Sequence, residues 1–197
     1  MSNVGDRVNF EYVVLIDTRE KELKHITDKF EANNISVQHI GLVVGDYRIQ
    51  ATALDGNQMN YSPRVVIERK ANLNELIANL LGEKDQHGKT RLHRELQRSL
   101  ESKTKLIIMI EELDWYNKLL RGDYISQVNP KAIRGMIMSL EAKYHPYVSI
   151  VGIDKSQSAS YIHTTLYYHL RQELKDLRSW DHGNCKYKYK NIKRNSR

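Results

Sequence analysis

The chain contains a single cysteine, Cys185, among 197 residues. An internal disulfide framework is impossible, which excludes the stapled secreted scaffolds and fits a reducing, cytoplasmic compartment. His182 and Cys185 have a metal-like gap but no second pair of such residues, so they do not make a zinc site. No apolar run approaches the roughly 18 residues of a membrane span, and Met1 to Phe10 are too polar for a signal peptide. Neither a membrane partner nor an organic cofactor is expected, and no internal repeat is visible. With 40% hydrophobic residues in regular periodicity, the chain reads as globular, and its length suits one domain with short extensions.

Acid is missing from the C-terminus. From residue 182 onward there are six cations (Lys186, Lys188, Lys190, Lys193, Arg194, Arg197) and no Asp or Glu. The whole chain carries +7, so residues 1–181 are close to neutral. A pI near 9.3 points to nucleic acid, but a DNA footprint on the folded part must be a local patch. Residues 179–197 read as a flexible basic tail. Lys186 and Lys188, interleaved with Tyr187 and Tyr189, are its candidate DNA contacts through charge and stacking.

Periodicity places strands and helices in alternation. Residues 13–16, 37–40, 47–52, 65–70, 105–111 and 148–153 read as strands. Helices are expected at about 20–32, 72–81, 89–100, 130–144 and 156–177. Residues 54–62, with Asp55-Gly56-Asn57, read as a loop or hairpin tip, and 82–88 as a charged, flexible joint. Leu106 to Ile110 form an unbroken apolar run, as in a strand buried on both faces. Asn129 and Pro130 are N-cap and first-turn signals for a helix with the apolar stripe Ile133, Met136, Ile137, Leu140 and Tyr144. Such alternation predicts an α/β sandwich about a mixed sheet.

The residues able to do chemistry sit at strand ends. Val65-Val66-Ile67-Glu68-Arg69-Lys70 closes a β-branched run bounded upstream by Ser62-Pro63. Alternate side chains on a strand share a face, so Glu68 and Lys70 point together and Arg69 points away. A carboxylate and an ammonium are thus held side by side, where burial is costly unless they pair or bind something. Asp46, after Gly45 in a turn, adds the second carboxylate that a hard divalent cation needs. Asp17 ends the first strand just before Arg19 and Glu20. Arg91, Arg94 and Arg98 recur at helical spacing and are candidate phosphate contacts. Each also has an ordinary reading: turn chemistry for Asp17 and Asp46, a salt-bridged helix start for Arg19 and Glu20, a solvated face for the arginines.

Taken in order, Gly45-Asp46 and Glu68-Arg69-Lys70 resemble the GD…ERK signature of the XPF-type nuclease domain, in the restriction-endonuclease-like PD-(D/E)xK superfamily. Leu15-Ile16-Asp17-Thr18-Arg19-Glu20 is similar to that family's DxRE segment, and Arg91 to Arg98 to its basic helix. The similarity runs from about residue 12 to about residue 174. It implies a three-layer α/β/α fold with a central mixed sheet, occupying 12–178 after an extension of residues 1–11. It further implies metal-dependent hydrolysis of DNA phosphodiester bonds at branched, flapped or forked duplexes, leaving 5′-phosphate and 3′-hydroxyl ends. By this resemblance Asp46, Glu68, Lys70 and Asp17 are catalytic. Asp46 and Glu68, with Asp17 as an outer ligand, hold Mg²⁺ or in its place Mn²⁺; the Arg69 carbonyl faces the metal, and Arg19 and Glu20 support the site.

One position departs from the pattern. Four residues after Lys70 the family has an aspartate, and this chain has Asn74. Asn72 as N-cap and Glu75 at the third helical position also make a capping-box-like start. Relatives usually carry a tandem helix-hairpin-helix domain that grips the duplex and supports dimerisation, and the chain has no room for one after residue 177. A homodimer or a DNA-gripping protein partner is therefore expected. The competing reading is a non-catalytic DNA-binding or scaffolding module that keeps the fold.

Overall fold

Strands and helices alternate along the chain in the computed structural model, which describes residues 10–181 apart from 22 and 55. The elements are β1 (Phe10–Asp17), α1 (Lys24–Ala32), β2 (Val37–Ile40), β3 (Tyr47–Leu54), β4 (Asn57–Tyr61) and β5 (Val65–Lys70). They continue with α2 (Leu73–Leu81), α3 (Arg91–Ser102), β6 (Lys105–Ile110), α4 (Trp115–Arg121), α5 (Pro130–Tyr144), β7 (Val148–Gly152) and α6 (Ser158–Asp181). The expected tail contacts Lys186 and Lys188, with His182 and Cys185, lie outside the described residues, as do residues 1–9 of the expected extension.

The strands form one mixed sheet in the order β2-β1-β3-β5-β6-β7, with β4 paired to β3. β1 runs parallel to β2, and β5, β6 and β7 run parallel to one another, while β3 is antiparallel to β1, β4 and β5. Strand pleating sorts the side chains into two cores. On one face, Val66, Leu106, Ile108 and Ile110 pack under α2, α3 and α5 through Leu76, Leu96, Ile133 and Ile137. On the other, Val14, Ile16, Ile49, Ile67 and Ile107 pack under α1 and α6 through Ile26, Phe30, Ile162, Leu166 and Leu170. Each such buried Leu or Ile contributes about 1.5–3 kcal/mol relative to exposure. This is the expected three-layer arrangement. β5 and β6 lie between both helix layers, which is why β6 reads as a continuous apolar run.

Four local expectations are corrected. The first helix starts at Lys24, not near residue 20, because Glu20 is drawn inward to Arg69 (2.7 Å) before any helix begins. The hairpin expected at residues 54–62 is present, but more of it is strand than tip: residues 57–61 pair with β3 as β4. Met136 is 39% exposed, so the α5 stripe is Ile133, Ile137, Leu140 and Tyr144. Finally, α4 has no counterpart among the expected helices. It is seven residues long and buries only Leu119, so it carries no two-turn stripe that periodicity can detect. Among the described residues, no helix is long and apolar enough to cross a membrane.

Candidate active site

The cluster forms where β1 and β5 end on either side of the start of β3. Gly45 precedes β3 with φ +72°, and a Cβ there would lie 2.9 Å from Val66 Cβ and 3.1 Å from the Ile67 carbonyl oxygen. Only glycine lets this turn press against β5. The next residue is then stitched in place: Asp46 N–H donates to the Ile67 carbonyl and Asp17 N–H to the Asp46 carbonyl, each at 2.8 Å. The Asp46 carboxylate accepts from the Arg69 backbone N–H at 2.8 Å.

Glu68 and Lys70 share the α2 and α3 face of β5, as pleating requires, and pair at 2.7 Å. Both are buried, as is Asp46. Burial and the neighbouring Glu68 charge push the Asp46 carboxyl up to about 8, against the opposing pull of Lys70 and the Arg69 N–H. Burial disfavours the Lys70 ammonium, but Glu68, together with Asp46 and Glu75, holds the pKa above its ordinary value. Glu75, at the start of α2, approaches Lys70 to 3.6 Å and also accepts from the Ala71 N–H at 2.8 Å. The α2 start is capped as expected, with the Asn72 side chain accepting from Glu75 N–H at 3.0 Å.

Two buried carboxylates, with the charge of Glu68 raising the cost of ionising Asp46, are a donor set suited to a hard cation. Among the described residues, no three His, Cys, Asp or Glu side chains converge as a cage.

Asp17 is not brought into this pair. Its carboxylate accepts from Arg19 N–H (2.8 Å), Arg19 Nε (2.7 Å), Arg19 Nη2 (2.9 Å) and Leu42 N–H (2.6 Å). Burial would raise its pKa, but the Arg19 and Leu42 hydrogen bonds hold it down at about 2. Its oxygens thus position Arg19, whose side chain is 64% exposed. Arg69 points to the opposite face, paired with Glu20 at 2.7 Å and Glu111 at 2.9 Å. On α3, Arg94 reaches Asp85 at 3.1 Å, Arg98 pairs with Glu95, and Arg91 is exposed. Asn74 accepts from Ile125 N–H at 2.8 Å, anchoring the loop between α4 and α5.

Two further acids were not singled out from the sequence. Glu95 of α3 accepts from the Gly45 N–H at 2.8 Å, bracing the turn from below. Its signal was available: it falls in the stripe Leu92, Leu96, Ser99 and is buried with them. Glu111 closes the apolar run of β6, in the same way that Glu68 and Lys70 close β5.

A family model, the ERCC4 domain, matches residues 16–165 of the chain. Among solved structures the chain is similar to XPF from Aeropyrum pernix, with a TM-score of 0.54 and 18% identity over 85% of this chain and 69% of that one. At that identity the likeness is one of fold. No curated protein matches.

Proposed function

This chain belongs to the ERCC4 domain family, and on that premise we propose that it is a Mg²⁺-dependent endonuclease cutting DNA at branched, flapped or forked duplexes. The observation that carries this reading is the buried Asp46 and Glu68 pair with Lys70 fixed against Glu68 at 2.7 Å. Asp46 and Glu68 would hold the cation, with the Arg69 carbonyl as a further oxygen donor. When bound, Mg²⁺ or Mn²⁺ supplies Lewis acidity toward the phosphate and lowers the pKa of a water.

The protein side chains do the rest. Lys70 stays protonated and donates to the phosphate as negative charge develops on it. Glu68 holds that ammonium in position. Asp17 acts through Arg19, presenting its exposed guanidinium to the DNA backbone. Along α3, Arg91 is the residue least committed to internal pairs, so Arg91→Ala lowers the slope of log K against log salt by about 0.9. An unchanged slope counts against this helix as a DNA contact. Arg98→Ala acts differently, by releasing Glu95 from its ion pair beneath Gly45.

Cleavage of labelled linear, flapped and forked DNA in Mg²⁺, Mn²⁺ or EDTA tests the proposal. Metal-dependent cutting that ranks branched above linear DNA supports it. Binding without cutting under every condition favours the scaffold reading, for which the specific observation is Asn74: its oxygen anchors Ile125 where the family has an acid. Asn74→Asp keeps an acceptor for Ile125 and adds negative charge near the pair. It is expected to lower the Mg²⁺ requirement by about threefold or more, measured by metal titration of turnover. No change makes residue 74 a loop anchor only.

A further inference from the structure

The backbone that orients Asp46 is held from the far side of the sheet. We propose that Glu111 is a positioning residue for the Glu68-Arg69-Lys70 segment, clamping its backbone through Arg69; its catalytic meaning rests on the nuclease reading above. Glu111 grips this segment twice. Its own N–H donates to the Lys70 carbonyl at 2.8 Å, and its carboxylate meets the Arg69 guanidinium at 2.9 Å.

The same carboxylate is anchored to a helix of that layer. His25 of α1 bonds it at 2.6 Å. Burial would raise the Glu111 carboxyl, but Arg69 and His25 hold it below its ordinary value. The side chain is fully enclosed, so it cannot relax toward solvent, and its direction is set by Arg69 and by His25 of α1.

Arg69 transmits that constraint. Its guanidinium is stretched between Glu20 and Glu111, and its backbone N–H is the donor that fixes the Asp46 carboxylate at 2.8 Å. The chain of contacts therefore runs from α1, through His25, Glu111 and Arg69, to the carboxylate proposed as a metal ligand. Groups that orient a ligand from behind matter nearly as much as the ligand itself. Without the charge on Glu111, Arg69 loses its ion pair to the end of β6, and the strand end loses that lateral restraint.

Hydrogen exchange of individual amides, read by nuclear magnetic resonance on the metal-free full chain, tests this directly. In Glu111→Gln the Arg69 amide should exchange about tenfold faster or more, with the Ile107 and Met109 amides at wild-type rates. Turnover should fall about 10- to 100-fold at unchanged KM for DNA, and Glu111→Asp should recover part of both losses. An Arg69 amide as protected in Glu111→Gln as in wild type overturns the proposal. If Glu111→Gln does not fold, His25→Ala removes one anchor without touching Arg69, and the same amide must loosen or the proposal fails. A wild-type chain that cuts no DNA overturns only the nuclease reading, because the exchange measurement needs neither metal nor substrate.

Discussion

Glu68→Gln yields a folded protein that binds DNA and does not cut it. The loss in turnover is expected to be on the order of 10³-fold or more, comparable with removing a charge-stabilising group from a preorganised site. Glutamine keeps the shape of the side chain and can still accept from Lys70, so the buried ammonium stays partnered. Two things nevertheless disappear: one of the two proposed anionic ligands, and the charge that holds Lys70 in register. Glu68→Ala is the harsher version. It leaves Lys70 with Glu75 at 3.6 Å and the neighbouring Asp46, and stripping one partner from a buried pair costs about 3–5 kcal/mol. Single-turnover cleavage of a flapped substrate and a mobility shift in EDTA separate the two properties. Equal turnover by wild type and Glu68→Gln would sink the site assignment.

Below about pH 8, the Mg²⁺ concentration for half-maximal turnover should rise about tenfold for each unit the pH falls. The cause is Asp46, whose carboxyl stands at about 8 in the metal-free protein through burial and then through Glu68. At neutral pH it holds a proton that a cation must displace, so affinity climbs with pH and levels off above about 8. The sign for folding follows from the same shift. The folded value lies above the ordinary 3.8, so stability from this group is fully present below about pH 4. It is lost as pH rises toward 8. Asp17 is opposite: with its carboxyl lowered from 3.8 to about 2, it stabilises above pH 4 and loses that contribution as pH falls toward 2. Mg²⁺ titrations at several pH values, beside thermal midpoints without metal, check both. A half-saturation constant that ignores pH would show that Asp46 carries no proton to displace.

Much of the frame was legible because it follows from local chemistry. β-branched residues at positions 65–67 favour a strand, and its two-residue period puts Glu68 and Lys70 on one face and Arg69 on the other. The structure shows that division, with α2 and α3 covering one side and α1 and α6 the other. Capping residues were equally readable: Asn72 accepts from Glu75 N–H, and Asn129 accepts from Lys131 N–H at 2.8 Å. By contrast, α4 was silent, since a seven-residue helix with one buried side chain has no period to detect.

What sequence spacing could not supply was the use to which each acid is put. Asp17 and Asp46 look alike in a linear chain: each is an aspartate at a strand end beside a turn. Packing separates them, giving Asp17 four donors from Arg19 and Leu42 and Asp46 one donor and a charged neighbour. The partners of Glu95 and Glu111 were out of reach for the same reason, because Gly45 lies 50 residues from Glu95 and Arg69 lies on a different strand from Glu111. The sequence by itself determined the strands, their faces and the order of acids along them, since these depend on dihedral preference and period. The tertiary structure alone decided which acids are buried together and which are saturated with donors, since desolvation and pairing arise only when distant segments exclude water from the same place.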